Sequence, residues 1–208
     1  PLMQDPNLVT RLVGMLEQAL GRSVKIIGIL EIGSFAKYEA VSTSDSDLRI
    51  YCESPTGYIW QTNGSRFQEK TKTELEQQFE RFLKDHPFLE RHFLDWMEVN
   101  HPIGEQLSSM LDVNVEFGFV DARFCNFQMQ EIKTVFCPEH QYLLGSEVLF
   151  DTDGWLTNFQ AAARTVITPP VRDFYQKRFL DSPPFELETH LVPHEMDAHK
   201  MKKCMQLQ

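Results

Sequence analysis

Two short stretches of the chain hold the residue types that handle phosphate and metal. The first is Gly33-Ser34, which ends the apolar run Ser23–Ile32. The second is Asp45-Ser46-Asp47, ten residues further on, at the head of the run DSDLRIYCE. On a strand, alternate side chains share a face, so Asp45, Asp47, Arg49 and Tyr51 point one way and Ser46, Leu48, Ile50 and Cys52 the other. The two carboxylates then lie roughly 6.5 Å apart along the backbone. Like charges that close repel unless a cation lies between them. Mg²⁺ takes one or two carboxylates together with phosphate oxygens, which matches the pair. Gly33 lets a backbone approach a ligand without a Cβ in the way. Ser34 adds a hydroxyl and an N–H where FAKYEA reads as the start of a short helix, and helix starts favour anions. A third carboxylate is expected from the run LDVNVEFGFVD, 111–121, whose alternation marks a half-buried strand with Asp112 and Glu116 on its polar face. Glu116 is placed ahead because it is central and easier to hold rigidly; Asp112 is the alternative.

These groups need a sheet to carry them and helices to cover it. Residues 5–20 read as an amphipathic helix opened by Asp5-Pro6 and ended by Gly21. The Ile-rich stretch 23–32 reads as a buried strand. Residues 54–66 read as a loop, 68–83 as a helix, and 86–99 as a second helix or its continuation. A short strand is expected over 145–156, entering an Asp-Gly turn. Helices are expected at 158–167 and 171–181, the second bounded by the Pro pairs 169–170 and 183–184. The expected fold class is α/β (α+β): a mixed sheet with helices packed on one face and a C-terminal helical segment. The expected division is a domain over 1–157, with a helical insertion at about 68–98, and a segment over 158–208.

Composition narrows the functions. The chain has 208 residues, 42% of them hydrophobic, which suits one globular domain with a small appendage. No apolar run approaches the ~20 residues that a membrane helix needs, and no secretory leader is visible. The ending HKMKKCMQLQ has no obvious stop, so the sequence reads as a possible piece of a longer protein. A net charge of −10 argues against a dedicated nucleic-acid binder, because phosphate backbones are held mainly by Lys and Arg. Cys52, Cys125, Cys137 and Cys204 form no CxxC pair. That pattern argues against a zinc site and fits free thiols in a reducing cytoplasm, with a disulfide as the lesser alternative.

Gly33-Ser34, the ten-residue gap, Asp45-x-Asp47-Leu48 and a later strand with an apolar-acid-apolar step together resemble the nucleotidyltransferase superfamily named after DNA polymerase beta. The resemblance covers roughly residues 23–121. It implies the nucleotidyltransferase fold, with EVLFDTDGWL as the strand and turn that follow the core in smaller members. It also implies that Asp45 and Asp47 bind Mg²⁺, two ions in all, and that Gly33 and Ser34 contact the phosphates of an NTP, ATP foremost. Glu116 would help hold the metal or take the proton from an attacking hydroxyl. Arg49, on the acidic face, is either a phosphate contact or an ion-pair partner of Asp47. Many small members carry a further Gly where this chain has FAKYEA, and 69 positions separate Asp47 from Glu116. The implied reaction is transfer of a nucleoside monophosphate to a hydroxyl of a small-molecule or protein acceptor, with loss of pyrophosphate. An RNA-end transferase and a catalytically inactive nucleotide-binding or scaffolding module are the alternatives.

Other constellations read as structural. His190, His194 and His199 lack HExxH spacing, and Pro193 interrupts any helix there. Arg164, Arg172, Lys177 and Arg178 read as solvated helix faces. Phe88, Phe93 and Trp96 read as core. The Asp151-x-Asp153 pair in EVLFDTDG has the wrong spacing from its Gly-Ser and reads as a turn.

Overall fold

The computed structural model describes residues 5–21, 24–32, 46–61, 69–94, 96–111, 114–131, 146–165 and 168–170. The chain divides into two compact units. The first comprises 1–62, 88–123 and 145–159; the second comprises 63–87, 124–144 and 160–208.

The first unit opens with α1 (Pro6–Leu20). Asp5 accepts a hydrogen bond from the Asn7 N–H at 2.9 Å, Pro6 stands at the first helical position, and Gly21 ends the helix at φ 92°. This is the start and stop read from the sequence. Four strands follow: β1 (Lys25–Ile32), β2 (Ser46–Glu53), β5 (Val115–Asp121) and β6 (Glu147–Asp151). They form one mixed sheet in the order β5-β2-β1-β6. β1 is antiparallel to both β2 and β6, while β2 and β5 run parallel. The class is α/β with a mixed sheet, as expected.

One face of this sheet carries the core. Leu48, Ile50 and Cys52 of β2, Val115, Phe117 and Phe119 of β5, and Ile26 and Ile29 of β1 pack with Val9, Leu12 and Leu16 of α1. Ile103 and Leu107 of α3 (Trp96–Leu111) complete the cluster. A bulge between Ile26 and Gly28 resets the alternation of β1, so that Ile26 and Ile29 both pair with core-facing residues of β2. The opposite face meets the first turn of α5 (Trp155–Thr165). There the Trp155 ring lies 5.7 Å from that of Tyr51, and a Cβ on Gly28 would fall 2.8 Å from Cδ2 of Leu156. Glycine at 28 is what lets this helix start press onto the strand. The turn into α5 places Asp153 and Gly154 at positive φ. Asp151 accepts from the N–H groups of Leu156 and Thr157 at 2.8 and 2.9 Å. The second Asp-x-Asp pair is therefore a helix cap and a turn, and α5 starts at 155 rather than 158.

Two expectations fail between 54 and 111. The supposed loop contains β3 (Gly57–Gln61), and the supposed helix 86–99 contains β4 (Glu90–Leu94), which pairs in parallel with β3 as a second, two-stranded sheet. Helix returns only at Trp96. Phe88, expected in the core, occupies the turn before β4 and is 67% exposed. The aromatic spacing of HPFLERHFLDW fits a helix by period, but strand pairing with a partner more than thirty positions away outweighs it.

The second unit contains α2 (Glu69–Asp85) and Phe124–Gln130 of α4 (Ala122–Gln130). Its aromatic cluster centres on Phe82, which stacks on His86 and meets Phe124 and Phe127 edge-on. Buried Gln128 donates to Gln78 at 2.6 Å. The helix over 171–181 and the tail with His190, His194 and His199 lie outside the described residues, as do Cys137 and Cys204.

Candidate active site

The register of the sheet brings the predicted acids of the two strands together. Asp47 of β2 stands directly opposite Glu116 of β5, and on its other side faces Ile32, the last residue of β1. Neighbouring strands are roughly 4.8 Å apart. Asp47, Arg49 and Glu116 are all half-buried, whereas the alternate residues Ser46, Leu48, Ile50, Val115 and Phe117 are buried against the core. The acids thus occupy the half-open face, and apolar burial of the other face is what orients them. Arg49 faces Gly118 in the same register and lies across it.

Local contacts fix the ladder where the acids sit. The Ser46 N–H donates to the Asn114 carbonyl at 2.7 Å, and the Val115 N–H donates to the Ser108 hydroxyl at 3.0 Å. On the core side the fully buried Ser46 hydroxyl donates to the fully buried Glu31 carboxylate at 3.2 Å. Ser46, the middle residue of Asp-Ser-Asp, therefore ties the beginning of β2 to the end of β1.

Gly33, Ser34, Asp45 and Asp112 lie outside the described residues. Chain connectivity alone attaches Gly33 to Ile32 and Asp45 to Ser46, both at the Asp47–Glu116 end of the sheet. Among the described residues no group of three or more His, Cys, Asp or Glu gathers in a way that could hold a metal ion. Those present at the site are two carboxylates, hard oxygen donors of the kind that Mg²⁺ selects. Like charges directly opposite on neighbouring strands are destabilising. Asp47 and Glu116 share that face with the Arg49 guanidinium.

A second polar cluster was not anticipated. Asp121, buried at the end of β5, accepts from Nε and Nη2 of Arg123 at 3.2 and 2.9 Å, and from the Arg123 backbone N–H at 3.0 Å. The same guanidinium donates to the Ser54 carbonyl at 2.8 Å and to the Gly57 carbonyl. One Asp thus caps α4 and holds an Arg that clamps the turn between β2 and β3. Its sequence signal is an Asp-x-Arg step at a strand end, which is too common to stand out.

Beside this cluster lies Cys52, whose thiol is fully buried and donates to the Val120 carbonyl at 3.6 Å. Burial, and then the nearby Asp121 carboxylate, push its pKa well above the ordinary value. The group is neutral at working pH and is no nucleophile. In native buffer at pH 8 an aromatic disulfide reagent should leave Cys52 unmodified until the chain unfolds; rapid native labelling of Cys52, located by peptide mass, would contradict this. The sign for stability follows. The raised folded pKa gives a contribution that is complete below the unfolded thiol pKa of about 8.5 and is lost as pH rises above it.

A surface depression lined by Arg11, Pro102, Glu105, Gln106, Ser109 and Met110 shares no residue with the acid pair. No helix among the described residues is long and apolar enough to cross a membrane.

No family model matches the chain, and no curated protein matches it in sequence. Among solved structures, the chain is similar to a toxin–antitoxin structure with AMP-PNP at 10% identity and a TM-score of 0.41, covering 85% of this chain and 96% of that one. It is likewise similar to a mutant of the toxin–antitoxin MntA-HpeT, at 10% identity, a TM-score of 0.42 and the same coverage.

Proposed function

We propose that the protein is a metal-dependent nucleotidyltransferase, moving a nucleoside monophosphate from an NTP to a hydroxyl of a small-molecule or protein acceptor and releasing pyrophosphate. The observation that supports it most is the row Ile32–Asp47–Glu116 across three strands. Gly33-Ser34 follows Ile32 directly, and Asp45 lies two positions before Asp47. In this proposal Gly33-Ser34 and Asp45 join Asp47 and Glu116 in one site. In this reading residues 1–157 carry the chemistry, the insertion at about 68–98 shapes the acceptor side, and 158–208 add a C-terminal helical segment.

Asp45, Asp47 and Glu116 would hold Mg²⁺, with two ions as the expected number. When bound, Mg²⁺ supplies charge neutralisation on the triphosphate and on the entering and leaving oxygens. The chain's own groups do the rest. The Gly33 backbone and the Ser34 hydroxyl hold phosphate oxygens, and Arg49 adds a charge-assisted contact. Glu116 accepts the proton of the attacking hydroxyl. The new bond from the acceptor oxygen to the α-phosphorus forms as the bond to pyrophosphate breaks. Holding these groups in line is where most of the acceleration arises.

The test is titration calorimetry of Mg-ATP and Mg-GTP against wild-type protein and Asp47→Ala, followed by pyrophosphate release with hydroxylated small molecules and with proteins as acceptors. Mg²⁺-dependent nucleotide binding that Asp47→Ala abolishes, together with acceptor-dependent pyrophosphate release, is the expected result. Full activity in an Asp45→Ala/Asp47→Ala double variant would sink the site. Binding without turnover on any acceptor would favour the inactive nucleotide-binding module.

A further inference from the structure

β5 alternates cleanly as Val115, Phe117 and Phe119 inward and Glu116, Gly118 and Val120 outward. Gly118 is the odd member. A strand glycine packs no side chain and weakens the strand, which often marks a close approach by another group. Here the group is Arg49. A Cβ on Gly118 would stand 2.6 Å from Nη1 of Arg49, 3.4 Å from its Cδ and 3.6 Å from its Cζ. The space a side chain would fill is taken by the guanidinium and the end of its stem. The clash is with the far end of a flexible side chain, so a methyl group at 118 displaces the guanidinium and leaves the backbone in place.

We propose that Gly118 is a positioning residue whose bare backbone seats the Arg49 guanidinium on β5, two residues from Glu116 on the same face, where it meets phosphate oxygens of the nucleotide. The inference rests on the nucleotidyltransferase reading. A guanidinium is a planar fork that binds phosphate through two parallel hydrogen bonds, so its plane matters as much as its charge. A seat that fixes the plane beforehand removes rotamers that would otherwise be lost when the nucleotide binds. The seat also places a fixed positive charge on a face that otherwise gathers carboxylates, which supports binding of the nucleotide more than the chemical step.

The experiment is a double-mutant cycle on the full chain with Gly118→Ala, Arg49→Ala and the pair together. Mg-ATP affinity is read by calorimetry and turnover by pyrophosphate release. Gly118→Ala should weaken Mg-ATP binding and raise KM about 10-fold while kcat stays within about threefold. Arg49→Ala should do the same, and the double variant should be no worse than Arg49→Ala alone. Thermal melts should match wild type. Wild-type affinity in Gly118→Ala, or multiplied losses in the double variant, overturns the seat. If Gly118→Ala does not fold, Arg49→Lys reads the same seat, because an ammonium has no plane to fix. A loss of about fivefold or more supports the proposal, and unchanged affinity overturns it. If the wild-type chain binds no Mg-ATP at all, the nucleotidyltransferase reading falls and the seat with it. If wild type binds and Asp47→Ala does not, while Gly118→Ala binds normally, only the seat falls.

Discussion

Replacing Arg123 by Ala should lower the unfolding free energy by about 3 kcal/mol, read as a shifted midpoint in a urea titration. The cause is what the substitution leaves behind. The Asp121 side chain is 0% exposed, and two of its partners are guanidinium nitrogens of Arg123. Without them the buried carboxylate loses most of its compensation. The carbonyls of Ser54 and Gly57 lose a donor at the same stroke. The figure sits at the low end for a broken buried pair because the Arg123 side chain is 21% exposed, so water can reach part of the vacated space. Arg123→Lys should recover only part of the loss, since a single ammonium cannot serve one carboxylate and two carbonyls in the geometry of a fork. The paired replacement Asp121→Asn/Arg123→Met should be milder than Arg123→Ala alone, because it removes the stranded charge. An Arg123→Ala protein within 1 kcal/mol of wild type would mean that the clamp contributes little.

Glu116→Gln should reduce kcat for pyrophosphate release by about 10²- to 10³-fold, the scale of losing one well-placed charged group at a reacting centre. The same substitution should leave the metal-free protein as stable as before, or more stable by about 0.2–1 kcal/mol, because it removes a like charge directly opposite Asp47. Activity and stability then move in opposite directions, which an unfolding artefact cannot mimic. Asp112→Asn, measured in parallel, should stay within about threefold of wild type if Glu116 is the third acid. A Glu116→Gln protein that keeps wild-type turnover while Asp112→Asn loses it would transfer the role to Asp112.

The elements that carry the acids were legible because each is specified locally. Asp5-Pro6 and Gly21 bracket α1 as read. The runs at 23–32, 45–53 and 111–121 contain β1, β2 and β5, since apolar continuity and strict alternation leave a buried strand few other conformations. Period two also put Asp47 and Arg49 on one face before any pairing was known. What could not be read was who pairs with whom. β3 and β4 are five residues each and, among the described residues, take their ladder from one another, so neither announces itself alone. α4 hides its inward stripe behind a buried polar residue, Gln128, whose partner Gln78 lies 50 positions away. The Asp121–Arg123 clamp is invisible for the same reason, because two of its acceptors are backbone carbonyls that carry no side-chain signature. For the candidate site, the opposition of Asp47 and Glu116 is a fact of register, which alternation within each strand does not contain.

The parallel ladder of β2 and β5 also sets when the site can exist. β1 and β2 are antiparallel and close in sequence, and a pair of that kind can zip early. β5 must find β2 across 69 positions, the separation of Glu116 from its partner Asp47. Loop closure over such a span comes before any hydrogen bond rewards it, and folding slows as contacts become more distant in sequence. The two carboxylates therefore meet only when β5 docks on β2 as the edge strand of the sheet. Until then Phe117 and Phe119 are without their burial partners, and β2 presents an unpaired edge. A chain stalled at that stage would lack the Asp47–Glu116 pairing and be prone to add a foreign strand to that edge.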